Sequence, residues 1–160
     1  ADYHKAIALN LNFAEAYNNR GSAYAARGQQ DWAIADYDKA ISLKANLVGA
    51  YNNRGYAYYG KGRYDQAIAD FTKAIDLNPN FAEAYNNRGS AYSAKGRYEQ
   101  AIADLNKAIA LSPNDAAYYN RGYAHYLQGS MGKAASDFKK ACDLGVDQGC
   151  KALEKVSAKK

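Results

Sequence analysis

Residues 82–115 read AEAYNNRGSAYSAKGRYEQAIADLNKAIALSPND, and most of this stretch occurs again elsewhere in the chain. Its pentapeptide YNNRG also stands at residues 17–21 and 51–55. An arginine–glycine pair marks the same point of every copy, at Arg20-Gly21, Arg54-Gly55, Arg88-Gly89 and Arg121-Gly122, with spacings of 34, 34 and 33 residues. A fixed period of this length is typical of a stack of small helical units, none of which can bury its apolar face alone.

Each copy contains two helical patterns separated by a glycine. In residues 82–115, apolar or small side chains recur at steps of three and four residues on both sides of Gly96, as amphipathic helices require. A glycine at this break ends the first helix easily, because it tolerates left-handed backbone. Pro113 ends the second pattern, and Pro79 ends the one before it, because proline cannot continue a helical ladder. The repeating unit is therefore predicted to be a helical hairpin.

The repeated positions, counted from Ala82 as position 1, resemble the signature of the tetratricopeptide repeat (TPR) family. Aromatic residues occupy position 4 (Tyr17, Tyr51, Tyr85, Tyr118), glycine position 8 (Gly21, Gly55, Gly89, Gly122) and alanine position 20 (Ala33, Ala67, Ala101, Ala134). The departures are Ala45 at a proline position, His125 at a tyrosine position and arginine at position 7, where the family usually packs leucine. The resemblance implies an all-α fold, a right-handed superhelical solenoid of helix-turn-helix hairpins.

The same resemblance sets the expected domain organisation. Hairpins are expected at residues 14–47, 48–81, 82–115 and 116–145. Residues 1–13 are interpreted as the second helix of a truncated hairpin, and residues 146–160 as a capping helix with a basic tail. Because terminal repeats usually carry a polar cap, this start predicts that the chain is the end of a longer array.

The net charge of +5 is concentrated near the C-terminus, where residues 117–160 carry 8 Lys/Arg against 4 Asp/Glu. A nucleic-acid-binding protein would present a basic stripe along one face rather than a tail, so no nucleic-acid partner is expected. No window approaches 18 consecutive apolar residues, and the mean hydropathy is −0.60, so membrane insertion is not expected either.

The sequence offers little for catalysis. Its two histidines, His4 and His125, belong to different copies, and His125 takes a packing position. No glycine-rich phosphate loop, HExxH motif or nucleophile elbow is present. We therefore expect no catalytic residues, no cofactor and no metal site, and predict that the protein is not an enzyme.

The arginines at position 7 have a repeated carboxylate companion at position 23. The arginines are Arg20, Arg54, Arg88 and Arg121, and the aspartates are Asp36, Asp70, Asp104 and Asp137. A buried arginine needs a partner, so we predict a ladder of ion pairs, bidentate in geometry and structural in role. The alternative is that the arginines reach solvent. Each aspartate could pair with the arginine of its own hairpin or with that of the next hairpin. Asp2 has no first helix of its own, which favours pairing with the next hairpin.

In the TPR family, the first helices of the hairpins line a concave groove. Asparagine fills groove position 6 (Asn19, Asn53, Asn87, Asn120) and most of position 5 (Asn18, Asn52, Asn86, with Tyr119 in the last hairpin). An amide both donates and accepts, so a row of amides suits the backbone of an extended peptide. Proteins that resemble this sequence use such a ladder for peptides; the alternative is that these asparagines are only solvated.

Groove positions 9 and 12 alternate between small and aromatic residues. Serine and alanine in the first and third hairpins give way to Tyr56, Tyr59, Tyr123 and Tyr126 in the second and fourth. Tyrosine offers a large contact area and a hydroxyl, which suits recognition, although stacking between neighbouring helices is an equal alternative.

Two further features bear on partner and compartment. The carboxylate clamp of chaperone-binding TPR modules is absent, since its basic positions hold Glu83 and Asn87, or Ala116 and Asn120. A near-neutral groove that does not take acidic chaperone tails is therefore expected. Cys142 and Cys150 have a spacing that resembles the paired cysteines of Sel1-like repeats. A disulfide would imply an oxidising compartment such as the periplasm, and two free thiols would fit the cytoplasm; both remain open.

These observations favour a non-enzymatic protein–protein interaction module that binds an extended peptide segment in its groove. A second hypothesis is a scaffold that self-associates as a homo-oligomer through an exposed N-terminal helix carrying Tyr3 and Ile7. A third is that the chain is the accessory domain of a larger enzyme.

Overall fold

The computed structural model describes residues 13–158, and every regular element in that range is an α-helix. The helices are α1 (Ala14–Ala26), α2 (Gln30–Leu43), α3 (Val48–Gly60), α4 (Tyr64–Leu77), α5 (Ala82–Ala94), α6 (Tyr98–Leu111), α7 (Asp115–Leu127), α8 (Met131–Asp143) and α9 (Asp147–Ser157). The first eight form four consecutive hairpins, so the all-α helical repeat fold is confirmed. The chain divides into two compact units, residues 1–79 with α1–α4 and residues 80–160 with α5–α9.

The turn inside each hairpin confirms the predicted glycine break. Gly28, Gly62, Gly96 and Gly129 have φ angles of +75°, +72°, +74° and +86°. At the third turn, Arg97 N–H reaches back to the carbonyl of Tyr92 at 2.9 Å, and Gly96 N–H reaches Ser93 at 3.0 Å. Because a side chain would strain left-handed backbone, glycine closes these three-residue turns at the lowest conformational cost.

Each hairpin is held together by one large side chain and a column of alanines. Tyr37, Phe71, Leu105 and Phe138 occupy position 24 and are nearly inaccessible to solvent. Each lies against the position-8 glycine of the partner helix; an added Cβ on Gly55 would lie 2.8 Å from Cε1 of Phe71. The position-8 glycine therefore makes room for the central side chain.

Substitution of Gly55 with alanine is expected to lower the free energy of unfolding by about 2 kcal/mol, since the methyl group collides with Phe71 and with Cβ of Asp70. Gly60, on the same helix, faces open space. The matched variant Gly60→Ala should therefore be neutral or slightly more stable. Urea unfolding followed by circular dichroism would measure both, and equal midpoints for the two variants would contradict the close-packing role of Gly55.

The last helix, α9, packs on the final hairpin. Val156 is 2% exposed and joins Ala134 and Phe138 in one apolar cluster, with Ala152 and Leu153 half-buried beside it. A disulfide joins Cys142 on α8 to Cys150 on α9, with their Cα atoms 4.7 Å apart.

The residues on which self-association was predicted, Tyr3 and Ile7, lie outside the described range, as do His4 and Asp2.

Candidate peptide-binding site

All four position-7 arginines make bidentate contacts with the position-23 aspartate of their own hairpin. In the second hairpin, Nε of Arg54 donates to Asp70 Oδ2 at 2.8 Å and Nη2 donates to Oδ1 at 2.7 Å. The other three pairs, Arg20–Asp36, Arg88–Asp104 and Arg121–Asp137, span 2.7–2.9 Å, and their aspartates are 5–8% exposed. The preference for the following hairpin, drawn from Asp2, is wrong, because the carboxylate that faces each guanidinium comes from the adjacent helix of the same hairpin.

Two of these arginines also contact the preceding hairpin. Nη1 of Arg54 donates to Asp38 at 2.5 Å, and Nη1 of Arg121 donates to Asn106 at 2.7 Å. Both acceptors stand at position 25, which differs in every hairpin (Asp38, Thr72, Asn106 and Lys139), so the repeat pattern could not reveal them. Hydrogen bonding to Asp70 raises the pKa of Arg54 above its ordinary value, against the effect of burial and with a further contribution from Asp38. The arginines are therefore permanently charged and engaged within the fold.

The groove asparagines form amide–amide contacts between successive hairpins. Nδ2 of Asn53 donates to Oδ1 of Asn18 at 3.1 Å in the first unit, and Nδ2 of Asn120 donates to Oδ1 of Asn86 at 3.0 Å in the second. Nδ2 of Asn53 also donates to the Ser22 hydroxyl at 3.4 Å, whereas the Asn120 amide retains a second N–H and its own carbonyl oxygen. The ladder therefore fixes the orientation of the amides.

Exposure separates the asparagines of the predicted site. Asn19 is exposed, and Asn18, Asn53, Asn86, Asn87 and Asn120 are partly exposed. Asn52, in contrast, is only 2% exposed. This burial argues against a role of Asn52 in peptide binding, because a buried amide offers little surface to a ligand.

The groove tyrosines divide into exposed and packed rings. Tyr56 is 61% exposed and Tyr123 is 46% exposed. Tyr59 instead packs on Tyr64, with ring centres 5.4 Å apart, and Tyr119 packs on Phe138 at 5.7 Å. Tyr123 lies nearly parallel to Tyr126, with centres 6.5 Å apart. Tyr59 and Tyr119 therefore pack within the protein, whereas Tyr56 and Tyr123 leave ring surface accessible to a ligand.

Three of the predicted tyrosines line one cleft of about 330 Å³ in the second unit. Tyr119, Tyr123 and Tyr126 from α7 form one side, and Phe138 and Val156 contribute to the lining. The side formed by α9 carries Gln148, Lys151, Ala152 and Lys155. The sequence predicts a near-neutral groove, and Lys151 and Lys155 add two positive charges at this end of it.

A burial pattern explains why α9 contributes to this surface. Three of the four first helices bury two alanines seven positions apart, namely Ala50 and Ala57, Ala84 and Ala91, and Ala117 and Ala124. In α9, Gly149 and Val156 are buried at the same spacing. In this register, Lys151, Ala152 and Lys155 occupy groove positions 5, 6 and 9, and Gln148 occupies position 2. The helix lacks the YNNRG signature, so only this weak pattern could have revealed its role.

The remaining chemical candidates are weak. His125 is 8% exposed and packs in the final hairpin, where burial lowers its pKa. Residues 13–158 contain no cluster of three or more histidine, cysteine or acidic side chains suited to a metal ion. None of the helices between Ala14 and Ser157 is both long enough and apolar enough to cross a bilayer.

Comparison with family models places these features in a known context. A tetratricopeptide repeat model matches residues 52–116 and 94–147, and a second model, for a TPR repeat, matches residues 21–62. The search of curated protein sequences gave no match.

Solved structures with this helical arrangement are numerous. A crystal structure of MamA is 28% identical, with a TM-score of 0.79 over 99% of this chain and 88% of that one. A thermophilic TPR protein of Thermus thermophilus, TTC0263, is 20% identical, with a TM-score of 0.79 over 98% and 86% of the two chains, and shows the fold alone. The first TPR of Spaghetti (RPAP3), solved with the HSP90 peptide SRMEEVD, is 29% identical, with a TM-score of 0.67 over 69% and 90%.

Proposed function

Because the chain belongs to the tetratricopeptide repeat family, we propose that it binds an extended segment of a partner protein along the first helices of its hairpins. The TPR fold is typically a non-enzymatic interaction module, and proteins of this family bind peptides or proteins. The observation that carries the proposal is the oriented amide ladder, formed by Asn18 with Asn53 in one unit and by Asn86 with Asn120 in the other.

The ladder suits recognition of backbone rather than side chains. An amide already held by one hydrogen bond loses less side-chain entropy when it meets a ligand. Its remaining N–H and carbonyl match the acceptor and donor of a peptide unit. Tyr56 and Tyr123 supply exposed aromatic surface next to these amides, where side chains of the bound segment would pack. The amides would thus provide general affinity and the tyrosines selectivity.

The partner differs in kind from the acidic peptide held by the RPAP3 structure. Glu83 and Ala116 stand at positions where a carboxylate clamp places basic residues. A carboxylate tail at these positions would meet no cation at Ala116 and a like charge at Glu83.

We also propose that the C-terminal segment resembles a Sel1-like repeat. The Cys142–Cys150 bridge agrees with the cysteine pairing that this likeness implies.

Selection of peptides from a displayed random library would test the proposal. For a selected peptide, Asn120→Ala should weaken binding about fivefold in a fluorescence titration, the effect of one lost hydrogen bond worth about 1 kcal/mol. The matched control is Asn46→Ala, which removes an exposed amide between α2 and α3, outside the ladder. Helicity of both variants should equal that of the parent protein.

Two outcomes would count against peptide binding. If no peptide is enriched, the groove does not recognise extended chains, and self-association becomes the leading hypothesis. If peptides are enriched but Asn120→Ala and Asn46→Ala bind them equally, the amide ladder is not the binding surface.

A further inference from the structure

We propose that the cleft between α7 and α9 is a subsite for two neighbouring residues of the bound segment, one apolar and one with an acidic side chain. The inference rests on the proposed function and adds a side-chain requirement to it. The amide ladder alone selects no particular side chain, so this subsite would require a specific pair of side chains in the bound segment.

The lining of the cleft favours an apolar side chain. Phe138 and Val156 are each 2% exposed and line the cleft together with the rings of Tyr119, Tyr123 and Tyr126. A volume of about 330 Å³ is at the lower end of the range for ligand pockets. This is space for one or two side chains rather than for a folded domain. Aromatic walls of this kind gain most from burying an aliphatic or aromatic group.

The charge at the opposite side favours a carboxylate. Lys151 and Lys155 lie four residues apart on α9, so both project from one helical face, where like charges repel each other. Both are exposed, and neither forms a salt bridge within residues 13–158. A carboxylate placed between the two ammonium groups would relieve this repulsion and add charge-assisted hydrogen bonds.

The position of α9 is fixed by the fold. The disulfide ties Cys150 to α8, and the neighbouring Gly149 approaches so closely that an added Cβ would lie 2.9 Å from the backbone nitrogen of Cys142. Val156 anchors the opposite end of the helix in the apolar cluster. The lysines therefore project from a rigid element, which reduces the entropy lost on binding.

An acidic side chain within the segment fits better than other anions. Nucleic acid would need a longer basic stripe than two lysines. The oriented amides of Asn86 and Asn120 lie on α5 and α7 of the same unit, so the segment is expected to continue past the cleft rather than end in it. The carboxylate is therefore assigned to an aspartate or glutamate beside an apolar residue.

The test uses peptides selected on the parent protein and then synthesised with acetylated and amidated ends, so that only side chains carry carboxylates. Selected sequences should share an acidic residue next to an apolar one. Changing that residue from glutamate to glutamine should weaken binding to the parent protein about fivefold, with a smaller difference at high salt. The same change should have no effect on binding to the Lys151→Gln/Lys155→Gln variant. The control variant Lys107→Gln/Lys140→Gln carries the same net charge and should behave as the parent.

Each other outcome overturns the subsite. Peptides enriched without an acidic–apolar pair, or an equal glutamate-to-glutamine effect in both lysine variants, would remove it while peptide binding stands. Binding that needs a free C-terminal carboxylate and no acidic side chain would assign the cleft to a chain end instead. Failure to enrich any peptide would remove both the subsite and the proposed function.

Discussion

Replacing Asp70 with alanine is expected to lower the free energy of unfolding by about 3 kcal/mol, the low end of the range for breaking a buried ion pair. Asp70 is 6% exposed and accepts two hydrogen bonds from Arg54. Its removal leaves a guanidinium whose side chain is only 19% exposed, with Asp38 as the remaining carboxylate partner. Chemical unfolding monitored by circular dichroism would give the value.

Two companion variants separate the buried contact from simple loss of charge. Asp38 has a side chain that is 52% exposed, so Asp38→Ala should change the free energy of unfolding by less than about 1 kcal/mol. The double variant Arg54→Leu/Asp70→Ala should recover much of the loss, because no unpaired charge is then buried. Equal effects of Asp70→Ala and Asp38→Ala would show that burial of the pair does not determine its contribution.

Removing the disulfide is expected to lower the free energy of unfolding of the second unit by about 2–3 kcal/mol. Cys142 and Cys150 are 8 residues apart, and closing a loop of this size in the unfolded chain accounts for that value in the chain-entropy model. The variant is Cys142→Ala/Cys150→Ala, measured by thermal unfolding with and without dithiothreitol.

The reductant provides the control for this prediction. It should lower the melting temperature of the parent protein and leave that of the alanine variant unchanged. Helix α9 should be affected first, and its amides should exchange with solvent faster in the variant, because the bridge ties its first turn to α8. A parent protein whose melting temperature does not respond to the reductant would show that the bridge contributes nothing to stability.

Features governed by local chemistry could be predicted from the sequence. The hairpins follow from the spacing of small residues, and the left-handed turns follow from Gly28, Gly62, Gly96 and Gly129. The need for an arginine partner also follows, because a buried charge must be neutralised. The sequence does not decide which aspartate pairs with a given arginine, because separations of 16 and 18 residues are both compatible with a hairpin repeat. That choice depends on the rotation of each helix about its axis.

Features that depend on the context of one repeat were missed. Asn52 has the same neighbours in sequence as Asn18 and Asn86, yet it is buried and they are not. The lysines of α9 escaped notice because the helix shares no motif with the repeats, only the spacing of Gly149 and Val156. In both cases the repeat pattern predicts the same environment for every copy of a position. The actual exposure of each residue depends on the packing around it.

The uniformity of the arginine–aspartate pairs has a consequence for how the chain reaches its native state. Residues 14–24 and 82–92 have identical sequences, so the second helix of either hairpin meets the same eleven residues in α1, in α5 or in another molecule. Contacts cannot select the right partner, and the selection falls to loop-closure entropy: a three-residue turn brings the neighbouring helix into place far more readily than a distant one. At high protein concentration during refolding, the competing partner is a second chain, and exchange of hairpins between molecules is the misfolding route that this repetition leaves open.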